Sequence, residues 1–467
     1  MTQEKQPAGD TSIRGLASRI VSSIFSGPVY PRDDRERKWV VFNHLILHFR
    51  PVRLPQKTLK YTHTWGLGGM SFILFLLLAA TGILLMFVYE PSTDGAYQSI
   101  VRMQQEVFFG KLVRNVHHWS ANFLIAVVVL HLMRVYFTGG YRTPRQFNWV
   151  IGLGLLACVL TSNFTGYLLP WDQLSYWAIT ISTGMIGYVP IVGEWLREVA
   201  RDGPEIGQAT LINFYTFHTT VVPVLLILLM AWHFWRVRRA RGVVVPRSAG
   251  ETSDSEADHK PQYALALPDL LFREFVVALC LIAFILVVSV FFNAPLDEAA
   301  NPGMSPNPAK APWYFVGFQE LLLHFHPFVA VLVIPLLGIL ALLAIPYIGY
   351  SDDTAGIWFM SHTGRRTAIV AVAAALVLTP LLIVADEFWL NRVALMPSAP
   401  SVVSNGLFPA AVLGSVLAGF YKIARWRWAA SKDEALQAAF VLLTVAFLIL
   451  TATGVWLRGP GMALYWP

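Results

Sequence analysis

The sequence predicts an all-α integral membrane protein, a bundle of about nine transmembrane helices, and three observations predict it. Of 467 residues, 55% are hydrophobic and 13% charged, with a mean hydropathy of +0.54, a balance that excludes a string of soluble domains. Nine apolar runs are long enough to cross a hydrocarbon core of about 30 Å: 67–89, 116–137, 149–169, 212–235, 273–293, 328–349, 367–385, 407–424 and 436–457. Within them Leu, Val and Ala run on without the apolar–polar alternation of a barrel strand, so each run must satisfy its own backbone as a helix.

The charges orient the bundle. With nine alternating spans, 27 of the 35 Lys and Arg residues fall on the side of the N-terminus and eight on the other, so the N-terminus is expected in the cytoplasm. The same asymmetry accounts for the net charge of +7, and no nucleic-acid partner is expected. Acidic residues gather instead in the outer loop 170–211, which holds Asp172, Glu194, Glu198, Asp202 and Glu205. Within the N-terminal segment 1–60, residues 1–40 are polar and basic, and no secretory apolar core is found there. Ile13, Leu16, Ile20, Ile24 and Phe25 share one helical face there, as expected of a cytoplasmic amphipathic segment on the membrane surface. The hydrophilic stretch 240–266 reads as a cytoplasmic linker between a four-span unit, 61–239, and a second unit, 267–390; 391–467 adds two more spans. Cys158 and Cys280 both lie inside apolar runs, which leaves no disulfide framework and no cysteine-rich metal site.

Four histidines sit within apolar runs, His117 and His131 in the second and His218 and His233 in the fourth. Separations of 14 and 15 residues return a side chain to within about 40° and 60° of its starting direction, after a rise of roughly 21 to 22 Å. Two such helices facing each other offer two bis-imidazole sites, one near each membrane surface, the arrangement that the axial positions of a haem iron require. The alternative is four separate histidines, each hydrogen-bonded to a neighbouring helix or facing a watery cavity; two matched pairs on two spans favour haem. His118 points about 100° away from His117 and is the poorer ligand.

Glycines repeat the spacing. Gly68 and Gly82 in the first span and Gly152 and Gly166 in the third are 14 apart, at the heights where flat macrocycles need room, although close packing of helices through small residues would use them equally well. Arg114 and Arg134 lie one turn from His117 and His131 toward opposite membrane faces. They are candidates to pair with haem propionates, with interfacial snorkelling as the alternative.

With these residues the chain resembles the cytochrome b subunit of quinol:cytochrome c (or plastocyanin) oxidoreductases, most closely the cytochrome bf branch, from residue 60 to about 390. The resemblance rests on Arg114-Asn115-Val116-His117-His118-Trp119-Ser120-Ala121, on Leu130-His131 through Arg134 to Thr138-Gly139-Gly140, and on Thr165 through Pro170-Trp171-Asp172-Gln173. It implies a four-helix di-haem domain at 61–239, with His117 and His218 on the haem nearer the outer face and His131 and His233 on the haem nearer the cytoplasm. It also implies that two polypeptides of that branch are fused here at 240–266, and that 267–390 completes an outer quinol pocket. The implied activity is quinol oxidation with electron bifurcation, one electron to a Rieske iron–sulfur protein and the other across the membrane to an inner quinone site. Implied partners are that Rieske protein, a c-type cytochrome subunit, quinone, lipid and a second copy of the complex, in a bacterial inner membrane.

Departures from the family pattern shape the remaining expectations. Its Pro-Glu-Trp-Tyr motif is matched by Ala311-Pro312-Trp313-Tyr314, so the carboxylate that helps remove a quinol proton is absent. Glu320, seven residues on and nearly on the helical face of Trp313, is the candidate replacement, with a plain interfacial carboxylate as the alternative; Asp172, Asp386 and Glu387 are fallbacks. Trp171, Trp313 and Tyr314 are expected to line the pocket. The cysteine that carries the branch's covalent haem is matched by Gly66, so no covalent haem is expected. Arg238 matches a basic residue near the inner quinone region, and the last two spans are expected to dock further subunits. Two other readings stay open: a di-haem quinone-linked anchor without bifurcation, which would not need an elaborated outer loop, and a membrane subunit without cofactors, which would not need four histidines.

Overall fold

The computed structural model of the protein describes residues 31–43, 51–249, 262–348, 354–390 and 395–465; the surface segment expected around 13–25 and the middle of the linker lie outside the described residues. In chain order its main helices are α1 (Leu67–Met86), α2 (Gly110–Phe137), α3 (Gln146–Tyr167), the short α4 (Gln173–Gly184) and α5 (Gly193–Arg201), then α6 (Gln208–Arg239) and α7 (Ala266–Phe291). There follow the short α8 (Trp313–His324), α9 (Val329–Tyr347), α10 (His362–Phe388), α11 (Val403–Arg427) and α12 (Lys432–Trp456). All but α4, α5 and α8 are long and apolar enough to cross a membrane, which makes nine among the described residues. The chain is therefore a multi-pass, all-α membrane protein. Several helices run past their apolar runs because polar residues such as Arg114 and Arg236 continue them toward the membrane surfaces.

Prolines set the irregular turns. Phe217–Val221, Val329–Val333 and Val403–Leu407 each form a π turn, and each ends two residues before a proline, Pro223, Pro335 and Pro409. A helical proline lacks the N–H that would close the ladder and pushes away the carbonyl four residues back; a wider turn relieves the clash.

In the first half α1 packs on α2, α3 on α6, and α7 against the outer flank of α2. Their shared core contains Leu67, Leu74, Val116, Leu124, Val159, Leu226 and Ile285, while Leu225, Ile227 and Leu228 of α6 face outward, as helices surrounded by lipid allow. The two halves are stitched by a strand pair, β1 (Arg53–Pro55) antiparallel to β2 (Tyr263–Leu265), with Arg53 opposite Leu265. Beside it His63 Nε2 donates to the Val244 carbonyl at 2.7 Å, and burial keeps this imidazole below its ordinary pKa. The second half is built on α10 against α12, joined closely through Ala368, Ala371, Ala375 and Ala438. Ser431 and Glu434 cap the first turn of α12 reciprocally.

Candidate functional site

The four membrane histidines meet in two pairs between α2 and α6. The rings of His117 and His218 have centroids 6.1 Å apart at 71°, and those of His131 and His233 are 6.4 Å apart at 73°. Two imidazoles coaxial on one first-row metal ion, each bonded at about 2 Å, have ring centres roughly 6 Å apart, so both pairs stand at the bridging distance. The 15-residue spacing on α6 is reconciled with the 14 on α2 by the π turn, which contains His218 and absorbs the extra residue.

Every ring is met by one of the four glycines. A Cβ placed on Gly82 would stand 3.3 Å from His117 Cε1, and one on Gly166 only 2.4 Å from His218 Cε1. At the other pair a Cβ on Gly68 would stand 3.3 Å from His131 Cε1, and one on Gly152 3.8 Å from His233 Cε1. The glycines of α1 and α3 thus keep space beside the imidazoles at both heights.

Hydrogen bonds set the ring orientations of the His117–His218 pair. Thr81 Oγ1 lies 2.9 Å from His117 Nδ1, and His218 Nδ1 donates to the Ser162 carbonyl at 2.8 Å, which leaves the Nε2 edge of each of these rings for a ligand. In the His131–His233 pair the backbone of Asn148 offers His233 a hydrogen bond, while Nε of the neighbouring Arg134 is buried without a protein partner. An orphaned buried donor of this kind marks a place where a further polar group is expected. Among the described residues no three His, Cys, Asp or Glu side chains gather as a metal site, so iron here would draw its other ligands from a macrocycle. The residues fit b-type haem.

Arg114 takes a different part from the one expected. Its guanidinium donates to the Ala294 and Pro295 carbonyls at 2.9 and 2.5 Å and so anchors the outer segment after α7 to α2. Asn115 helps, accepting from Ala294 N and donating to the Ser289 carbonyl.

The Pro-Trp-Asp-Gln loop is held against 297–304. Trp171 has a left-handed φ of 52° and its carbonyl accepts from Ala300 N. Asp172 caps α4 by accepting from Ser175 N at 2.9 Å, and its other oxygen accepts from Asp297 N at 3.1 Å. Gln173 accepts from Asn301 N and donates to the Met304 carbonyl. The Asp172 carboxylate is therefore a cap and a loop tie, not a free base.

Trp313 and Tyr314 open α8. Trp313 Nε1 donates to Asn122 Oδ1 at 2.7 Å, and Asn122 Nδ2 lies 3.3 Å from His118 Nε2, so a hydrogen-bond chain joins the indole to an imidazole on α2. His118 was legible only as a poor haem ligand; its four-residue spacing to Asn122 is the signal that it faces another element. Tyr314 packs on the α1–α2 core.

Glu320 differs most from expectation. It is fully buried, and Arg458, just past α12, donates to both of its oxygens, Nη2 at 2.6 Å and Nε at 3.1 Å. His324 Nε2 lies 3.3 Å from it and His324 Nδ1 is 2.7 Å from Asp386, while Arg458 also reaches Glu387 at 3.0 Å. Burial opposes ionisation of Glu320, but hydrogen bonds from His324 and Arg458 outweigh it and hold the carboxyl below its ordinary range. Burial likewise opposes the charge on His324, and its two carboxylate neighbours outweigh that and raise it. Held in this way Glu320 forms the centre of an ionic clamp, and the fallbacks Asp386 and Glu387 belong to the same cluster.

A helical membrane bundle with two imidazole pairs, each flanked by glycines, is the architecture of a membrane cytochrome of the b type. Residues 54–241 match the cytochrome b/b6/petB family model. The chain is 42% identical over 173 residues to cytochrome b6 of Synechococcus sp. (strain CC9605) and, with the same figures, to that of Prochlorococcus marinus (strain MIT 9303); the match covers 37% of this chain and 79% of each relative. This chain belongs to the cytochrome b/b6 family. Its fold extends beyond that match: a chain of a hyperthermophilic respiratory Complex III superposes over 89% of this chain and 98% of its own length, with a TM-score of 0.62 at 20% identity.

Proposed function

We propose that this chain is the cytochrome b subunit of a quinol:cytochrome c oxidoreductase in a bacterial inner membrane, with its N-terminus cytoplasmic and the two polypeptides of the bf branch joined into one. Quinol is oxidised near the outer face and its electrons diverge, one to a Rieske iron–sulfur partner that passes it to a c-type cytochrome, the other across the membrane to an inner quinone site beside Arg238. His117 with His218 and His131 with His233 would hold two non-covalent b haems, which when bound supply the one-electron carriers of the second route. The observation that carries this reading is the pair of histidine bridges at 6.1 and 6.4 Å, stacked along the same two helices. The elaborated outer loop around Trp171 and Asp172 favours bifurcation over a simple quinone-linked anchor, and a homodimeric complex is the expected assembly.

Outside the haem ligands, the residues divide the work. Trp171, Trp313 and Tyr314 form aromatic walls for a quinol ring, and Asp172 and Arg114 keep the loops that carry them in place. The Asp172 and Glu320 carboxylates are both engaged, and Asn122 links Trp313 to His118, which helps to position the indole. The test is oxidant-induced reduction: with the inner site inhibited, a pulse of oxidant in the presence of quinol should reduce b haem, whereas simple equilibration would support the anchor reading. In the same assay Asn122→Ala, which breaks the link between Trp313 and His118, should slow quinol oxidation about tenfold at full haem content; an unchanged rate would show that the indole is held without it.

A further inference from the structure

The two spans beyond residue 390 have no part in holding haem, yet the chain that ends α12 is bound to the one stretch that carries Trp313 and Tyr314. Five contacts make the connection. Gly461 N donates to Asn307 Oδ1, and Lys310 Nζ donates to the Val455 carbonyl at 2.9 Å, just before the Ala-Pro-Trp-Tyr segment. Past that segment, Gly317 and Gly454 lie where helices approach closely. A Cβ on Gly317 would stand 2.6 Å from Thr451 Oγ1, and one on Gly454 2.8 Å from Val316 Cγ2. One turn further, Arg458 closes on the buried Glu320. Contacts before, beside and beyond the two aromatics leave α8 little freedom, and at its opening turn Trp313 is fixed to α2 through Asn122.

We infer that α12 and Arg458 are positioning elements of the outer quinol pocket: they set the height and tilt of α8, and with it the aromatic wall that Trp313 and Tyr314 present. The last span is thus an internal backstop, where the sequence alone suggests a docking surface for other subunits. Glu320 is the handle through which Arg458 acts. This inference rests on the quinol-oxidising reading of the outer face.

The experiment uses the intact complex in native membranes, with decylubiquinol and menadiol as alternative donors. Arg458→Gln should raise the KM for the accepted quinol about tenfold, lower kcat less, and leave the haem content and reduced b-band spectrum as in the wild type; Arg458→Lys should recover most of the loss. Hydrogen exchange of the amides in 311–320 should quicken in Arg458→Gln and stay unchanged in α2 and α3. Normal KM together with normal exchange in a fully haem-loaded variant would overturn the inference. If Arg458→Gln fails to assemble, Lys310→Met serves in the same assays, with a threefold rise in KM expected and none overturning the proposal. A wild-type complex that oxidises neither quinol would sink the functional reading, while loss of exchange protection confined to 311–320 in Arg458→Gln would still support the positioning role.

Discussion

Two buried sites, one in each half of the molecule, are built in opposite ways. At the histidine pairs of the four-helix half, glycines stand where side chains would otherwise fill the space beside the rings, and Arg134 Nε is buried without a protein partner. In the second half, Glu320, Arg458, His324, Asp386 and Glu387 satisfy one another in a closed cluster. A buried polar atom left unmatched costs about 1 to 3 kcal/mol, so the unmatched Arg134 nitrogen beside the His131–His233 pair leaves a place for a polar partner. The ionic cluster leaves none for its own members. The one site keeps room, and the other closes on itself.

That division can be broken most sharply at Gly166. Gly166→Ala places a methyl 2.4 Å from His218 Cε1, and the expected result is loss of most outer haem, read as a pyridine haemochrome ratio falling toward one per chain. Gly152→Ala, with 3.8 Å to His233, should bind nearly two. Equal haem content in the two variants would mean that the glycines pack helices and nothing more.

The ionic cluster gives an effect of intermediate size, because removing one partner of a buried pair costs about 3 to 5 kcal/mol. Its dependence on pH has two edges. Glu320, held below its ordinary 4.5, contributes stability above that value and loses it as pH falls through the lowered pKa. His324, held above its ordinary 6.5, contributes fully below that value and loses its share as pH rises through the raised one. Thermal unfolding of the second half should therefore be most resistant between about pH 4.5 and 6.5. His324→Gln should abolish the alkaline edge, and a surviving edge would assign it to another group.

The smallest expected effect is at Thr81. Thr81→Val removes the hydroxyl at His117 Nδ1, a change worth about 1 kcal/mol, and should shift the midpoint potential of the outer haem with both haems retained. A shift in the inner haem instead would reverse the assignment of the pairs to the two membrane faces.

Much of the fold was legible in the sequence, because a helix in lipid must be apolar along its whole length and nothing else produces such runs. All nine spans stand where the runs place them, with ends displaced by several residues wherever Arg or Gln carries a helix into the interface. The histidine pairs and their glycines were legible because spacing on a helix fixes direction. Their partners were harder to find. Glu320 and Trp313 share a helix, but which neighbouring helix each meets depends on long-range packing that no local pattern records, so the Arg458 contact, 138 residues away, left no trace in the sequence. The short helices α4 and α5 were hidden for a related reason: outer loops escape the demand for continuous apolar character.

The proline-induced widening at His218 has one more consequence. Because a single extra residue is swallowed by the coil without moving the imidazole off its partner, the chain tolerates unequal ligand counts on facing columns. What is held fixed is altitude within the bilayer, and a rule that looks for iron sites by counting letters between histidines would pass over arrangements of the same physical kind.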